Sequence, residues 1–309
     1  MLAALAAGSA LAATRAPLPP APQTYSLLGD TLYTAPLADS TRVRYEQLLA
    51  EAQRNYDHDP DEINNIIWLG RRLAYLGRFR DAIGVYTAGI KTHPGDARLF
   101  RHRGHRYITL RFFELAAGDL SYALQLVKKQ TDSVEPDGLP NARNIPTTTL
   151  KFNLWYHLGL AYYLQGELED ARRAWRSCLK VSTNPDMRCA TSHWLYMTLR
   201  RLGRASEAME LLKPIRADLD VIENRSYLRL LLFYKGALPL DSLMVSAPGD
   251  TSAIADAATG YGIGNWYLYT GRGVAADSVF RRVIADPQWP AFGHIAAEAE
   301  LKRMRGPKP

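Results

Sequence analysis

Two stretches of this chain overlay at one spacing, and that overlay limits its fold more than any other feature. NNIIWLGRRLAYLGRFRDAIGVYTAGIKTHPGD begins at Asn64, and FNLWYHLGLAYYLQGELEDARRAWRSCLKVS begins at Phe152. Each carries Leu-Gly, a second glycine seven residues on, then Asp-Ala, then an aromatic residue four positions after the alanine. The landmarks are Leu69-Gly70, Gly77, Ala82 and Tyr86 in one, and Leu158-Gly159, Gly166, Ala171 and Trp175 in the other. Apolar residues recur at helical spacing on both sides of the second glycine, so each stretch reads as two amphipathic helices joined by a tight turn. The second glycine closes the first helix in a left-handed conformation that is cheap only for glycine. The first glycine and the alanine leave room for close helix–helix approach. Such a unit cannot bury its apolar face alone, so a repeated unit predicts a stacked array.

Further copies share the phase. Gly104, Ala116 and Ala123 lie 34 residues after Gly70, Ala82 and Gly89, and Gly203 and Ala208 lie 37 residues after Gly166 and Ala171. Gly264, Gly271, Ala276 and Phe280 repeat the series near the C-terminus, and Tyr227 to Gly236 gives a copy with a short second half. The pattern resembles the tetratricopeptide repeat family, whose signature is W-x2-L-G-x2-Y, then A-x3-F, then P. Trp155, Leu158, Gly159, Tyr162, Ala171 and Trp175 match it, while Ile66, Arg103 and Tyr196 depart from it. The resemblance implies an all-α fold, a right-handed α-solenoid of helix-turn-helix repeats.

Repeats one and two are expected over residues 61–130 and repeats three to six over 152–286, with an inserted loop at 131–151 between them. That insertion holds three prolines and a Pro-Asp-Gly turn signal, and long loops of this kind are often functional. An N-terminal helix is expected within 38–60, capped by Asp39 or Ser40. A C-terminal capping helix with a polar outer face is expected within 287–309. The apolar run from Leu2 to Ala13 ends in small residues, and Ala10-Leu11-Ala12 resembles a cleavage site, although no lysine or arginine precedes it. The expectation is a signal peptide over 1–12, a proline-rich linker over 13–37, and an exported protein, periplasmic or secreted, with no membrane span.

The formal charge is +7, and the stretch RHRGHRYITL at 101–110 concentrates it. The resemblance implies that the first helix of each unit lines a concave groove through its second, fifth, ninth, twelfth and thirteenth positions. Arg98, Arg101 and His105 take the second, fifth and ninth. Equivalent positions give Asn64 and Arg71 in the first unit, Asn153 and Tyr156 in the third, and His193, Arg200 and Arg201 in the fourth. No carboxylate occurs among these residues. The expected function is therefore a non-enzymatic scaffold that binds a protein or peptide partner through an acidic or carboxylate-bearing segment. Asn141, Arg143 and Asn144 of the insertion are expected to fold over the groove mouth as a lid.

Two other readings compete. One is a histidine-based hydrolase in the same groove. The other is a nucleic-acid-binding solenoid, which fits the charge but not the export signal. No cofactor is implied, and His102, His105, His157 and His193 do not share a helical face, so no metal site is expected. Cys178 and Cys189 are too few for a disulfide framework, and a single bridge between them depends on the compartment.

Overall fold

The computed structural model describes residues 21–243 and 253–306. The expected signal peptide, residues 1–12, lies outside the described residues. A two-stranded antiparallel hairpin, β1 (Thr24–Tyr25) with β2 (Thr31–Leu32), precedes a succession of helices. Helix α1 (Asp39–His58) leads into helix pairs α2 (Ile63–Tyr75) with α3 (Phe79–Thr92) and α4 (Ala97–Thr109) with α5 (Phe113–Leu126). After the insertion come α6 (Leu150–Gln165) with α7 (Leu168–Val181) and α8 (Pro185–Arg201) with α9 (Ala205–Leu212). Helix α10 (Arg225–Tyr234) is followed by the short α11 (Leu240–Leu243), then α12 (Ala253–Tyr269) with α13 (Gly273–Ile284), and finally α14 (Phe292–Met304). Consecutive helices pack on one another, and the fold is an α-solenoid of helix-turn-helix repeats.

The local chemistry follows the repeat. The first helix of several units is capped by a side chain: Asp96 accepts from Arg98 N, Thr149 from Phe152 N, and Asn184 from Met187 N. Gly77, Gly166, Gly203 and Gly271 all close such helices at φ between +72° and +91°. A Cβ at Gly70 would collide with the Tyr86 ring, at Gly159 with Trp175, and at Gly264 with Phe280. The glycine of each first helix thus seats the aromatic residue of its own second helix. Ala82, Ala116, Ala171, Ala208 and Ala276 are fully buried at the same contacts.

The second unit breaks the turn rule. Its turn position, 34 residues after Gly77, is Arg111, which adopts φ +67°. A left-handed conformation costs a residue with a Cβ roughly 1–2 kcal/mol. The Arg111 side chain is nevertheless buried and bonds Glu298 twice, at 2.6 and 3.1 Å, together with the carbonyl of Trp289 at 3.0 Å. That contact fixes the C-terminal helix to the second unit.

Three expectations about the flanks differ from the structure. Asp39 is the first residue of α1 and caps nothing with its side chain; the cap is Ala38. The described part of the expected linker is folded: Thr24 Oγ1 donates to Leu110 O, and the Gln23 side chain accepts from Phe79 N and Arg80 N. The C-terminal helix does not present a polar cap. Residues 293–301 of α14 are buried one after another, so every face of that stretch is covered. It packs on α12 and α13 and also reaches back to α6. Trp289, just before it, stacks edge-on against Phe79 in α3, so the last unit closes onto the first.

Candidate functional site

The basic stretch of α4 is largely neutralised from within. Arg103 makes a paired contact with Asp119 at 2.7 and 2.8 Å, and Arg106 lies over the Phe79 ring at 5.5 Å. His102 stacks on Tyr86, and His105 packs against His157 at 4.4 Å between centroids and against Phe292 of α14. Arg101 is buried, and its guanidinium meets a carboxylate from the insertion: Nη2 lies 3.0 Å from Glu135 Oε1. Asn153 Nδ2 donates to the other Glu135 oxygen at 2.9 Å. Arg101 Nη1 lies 3.0 Å from His102 Nδ1 and donates to it, which leaves the imidazole proton on Nε2, 3.5 Å from Glu135.

Next to this buried pair is an open pocket of about 270 Å³, lined by Asn64, Ile67, Trp68 and Arg71 of α2, Arg98 and His102 of α4, and Ser133 to Pro136 and Leu150. Arg98 is held by Asp96 and donates to Asn64 Oδ1 at 3.0 Å. Arg71 and Arg72 lie against the Trp68 ring at 4.5 and 4.7 Å. Their guanidinium groups also donate to the insertion's backbone, Arg71 to Pro136 O at 2.8 Å and Arg72 to Gly138 O at 2.9 Å. The pocket offers fixed cationic donors, an aromatic face and a carboxamide, a combination suited to carboxylates and backbone carbonyls.

The structure brings together Asn64, Arg71, Arg98 and Arg101 of the residues expected in the groove, with Asn153 joined to them through Glu135. The others are elsewhere. Tyr156 is buried, and its hydroxyl accepts from Trp194 Nε1 at 2.8 Å. His193 was expected on the groove surface but is completely covered, sandwiched by Tyr227 and Tyr234. Arg200 packs on the Tyr269 ring at 4.4 Å. Arg201 pairs with Glu300 of α14 at 2.6 Å, so a carboxylate distant in sequence takes the charge expected to face a ligand. The physical reason is that later helices cover these positions: α8 and α10 enclose Tyr156, α10 covers His193, α12 covers Arg200 and α14 takes Arg201.

The expected lid residues are anchored away from the groove arginines. Asn141 donates to Ile145 O, and Arg143 pairs with Asp220 at 2.7 Å ahead of α10. Asn144 sits at φ +51° in the same exposed turn. The residues that touch Arg71, Arg72 and Arg101 are Glu135, Pro136 and Gly138. Sequence reasoning passed over these, and over Trp68, Arg72 and Tyr75, although Trp68, Arg72 and Tyr75 recur at helical spacing along α2.

The histidines are held neutral. Burial pushes the His102, His105 and His157 imidazoles well below their ordinary value, with neighbouring arginines adding to it. Burial alone pushes His193 down to about 3. Among the described residues none of these rings bonds a serine, threonine or cysteine side chain, and no group of three or more metal-ligating side chains converges. Cys178 and Cys189 are both free and buried. No described helix is long and apolar enough to cross a membrane.

A family model for the tetratricopeptide repeat matches residues 152–184, the α6–α7 unit. No curated protein matches the chain. Among solved structures, a tetratricopeptide repeat protein from Parabacteroides merdae ATCC 43184 is 14% identical with a TM-score of 0.46, covering 82% of this chain and 98% of its own. YrrB, a protein of the same repeat type with an unusual peptide-binding site, is 14% identical at 0.42, with 81% and 97% covered. MamA is 16% identical at 0.43, with 56% and 88% covered. These likenesses concern the repeat fold and carry nothing about ligands.

Proposed function

We propose that this chain, a tetratricopeptide repeat protein, is a non-enzymatic interaction scaffold that holds an acidic or carboxylate-bearing segment of a protein partner. The observation that carries the reading is the open pocket walled by Asn64, Arg71 and Arg98 beside a carboxylate already held by Arg101. Charge-assisted bonds from arginine to a carboxylate contribute about 1.5–3 kcal/mol each, enough for a short segment to be recognised. The apolar N-terminal run supports an exported location for the scaffold, which intact-mass analysis of protein from the native source would test.

A histidine-based hydrolase gains no support, because the imidazoles face arginines, aromatic rings and a backbone carbonyl rather than a nucleophile. Selection of peptides from a random display library on the immobilised protein tests the proposal. Enrichment of glutamate and aspartate, with capture lost on Arg71→Ala or Arg98→Ala, is expected. Selected peptides without acidic residues, or capture indifferent to both substitutions, would refute it.

A further inference from the structure

The inserted loop makes the contacts that a ligand of this groove would make. Glu135 offers its carboxylate to Arg101 and Asn153. Pro136 and Gly138 offer their carbonyls to Arg71 and Arg72. The Glu135 side chain is inserted while its neighbour Val134 remains 64% exposed, so the segment lies on the groove rather than within a core. Its backbone is held by a narrow ribbon: Glu135 N donates to Thr148 O at 3.0 Å, and Leu150 N donates to Ser133 O at 2.9 Å. Between Gly138 and Pro146 the anchors are exposed, an ion pair of Arg143 with Asp220 and a bond from Asn141 to Glu223, and the firm hold resumes only at the buried Thr147, whose carbonyl accepts from Asn184 Nδ2 at 2.9 Å. Exposed pairs contribute little and are screened by salt. A segment with few buried apolar contacts opens locally far more readily than the helices beneath it.

We infer that residues 133–138 are a resident self-ligand, and that the partner's segment displaces them by presenting the same chemistry. This rests on the groove reading above and extends the site from the open pocket to the surface beneath its Ser133–Pro136 wall, so that Arg101 as well as Arg71 receives the partner. The carboxylate selects glutamate, whose length reaches Arg101. Proline fits directly after it because Arg71 needs only a carbonyl there and no N–H is used. Three residues after the glutamate a glycine is favoured, because a Cβ on Gly138 would displace the Tyr75 hydroxyl and the Arg71 guanidinium that bonds Pro136. The partner segment therefore presents a glutamate with a small residue three positions on, and the resident Glu-Pro-x-Gly is one such sequence. Because the resident copy is tethered, it competes at an effective concentration of about millimolar. A free peptide then binds with an affinity reduced by the fraction of molecules whose groove is empty.

The experiment uses the full chain and a fluorescein-labelled decapeptide, TDSVEPDGLP, identical to residues 131–140. Fluorescence anisotropy compares the wild type with Gly138→Val, which evicts the loop by its side chain, and with Glu135→Gln, which removes the anchor and leaves Arg101 in place. Thermal melts establish that each variant is folded, and either one alone suffices. The expected result is binding about 10- to 100-fold tighter to the variants than to the wild type. The same peptide with glutamine for its glutamate should lose that gain. Equal affinity for wild type and variants, or no binding to a folded variant, overturns the self-ligand. If acidic peptides from the display selection still bind through Arg71 and Arg98 in that case, the groove reading survives; if they do not, both fall.

Discussion

Replacing His193 by phenylalanine tests the electrostatics of the interior by a route that does not depend on packing. The ring is completely covered, lies 4.7 Å from Tyr227 and 5.9 Å from Tyr234, and neither ring nitrogen has a hydrogen-bond partner. Each buried unpaired polar atom costs about 1–3 kcal/mol, which phenylalanine would recover, while the extra atoms of the larger ring cost about 1–3 kcal/mol in overpacking. With two such nitrogens the recovery is about 2–6 kcal/mol, which matches or exceeds the overpacking near neutral pH. The pH dependence is separable from both. Burial lowers the folded-state value to about 3, whereas the unfolded imidazole titrates near about 6.5. Below that pH the unfolded chain takes up a proton that the folded chain refuses, so wild-type stability falls as pH falls until the folded value is reached. From about pH 7 to about pH 5 the histidine costs about 2 kcal/mol, at about 1.4 kcal/mol per pH unit. Urea unfolding of wild type and His193→Phe at both pH values should therefore show the variant gaining about 2 kcal/mol on the wild type at the lower pH. An unchanged difference would refute the buried, neutral assignment.

Arg111→Ala keeps the left-handed backbone but loses the bonds to Glu298, and should cost about 3–5 kcal/mol. Arg111→Gly also relieves the backbone and should be about 1 kcal/mol more stable than the alanine variant in urea melts; equal values would deny the strain. Ala171→Leu should overpack the α6–α7 contact and lower stability by about 1–3 kcal/mol, read from a thermal melt, and an unchanged melt would mean the repeat phase is misplaced. Burial would raise the Glu300 carboxyl, but Arg201 and Arg303 outweigh it and hold it below its ordinary range. That stabilisation is present above the unfolded value of about 4.3 and is lost as pH falls through the folded one. Glu300→Gln should thus destabilise at neutral pH and converge on the wild type in acid, as followed by urea midpoints.

The repeat was legible because its determinants are local. Gly70, Gly159 and Gly264 each seat an aromatic residue from the helix that follows, and the turn glycines repeat at fixed offsets. Arg111 stands at the turn-glycine position of the second unit and was passed over, because the residue that holds it there, Glu298, lies far along the chain. Helical arithmetic places Asn64, Arg71, Arg98 and Arg101 together. The same arithmetic fails for Tyr156, His193 and Arg201, because a helical wheel assigns a face without stating what packs on it. Here that answer comes from far along the chain. Glu300 of α14 takes Arg201, and Tyr227 and Tyr234 of α10 enclose His193. The groove looked free of carboxylates for the same reason, since Glu135 belongs to an insertion outside the repeat.

The most direct test of the scaffold reading is a site-specific crosslink. A benzophenone amino acid in place of Trp68, on the pocket wall, is compared with the same group in place of Met209, which is exposed on α9. Each protein is irradiated with an acidic peptide from the display selection, and the adducts are mapped by mass spectrometry. The account predicts adducts at position 68 and not at 209, with a yield that falls as salt rises and is lost on Arg98→Ala. Adducts at both positions alike, or a yield at 68 unchanged by salt and by Arg98→Ala, would contradict it.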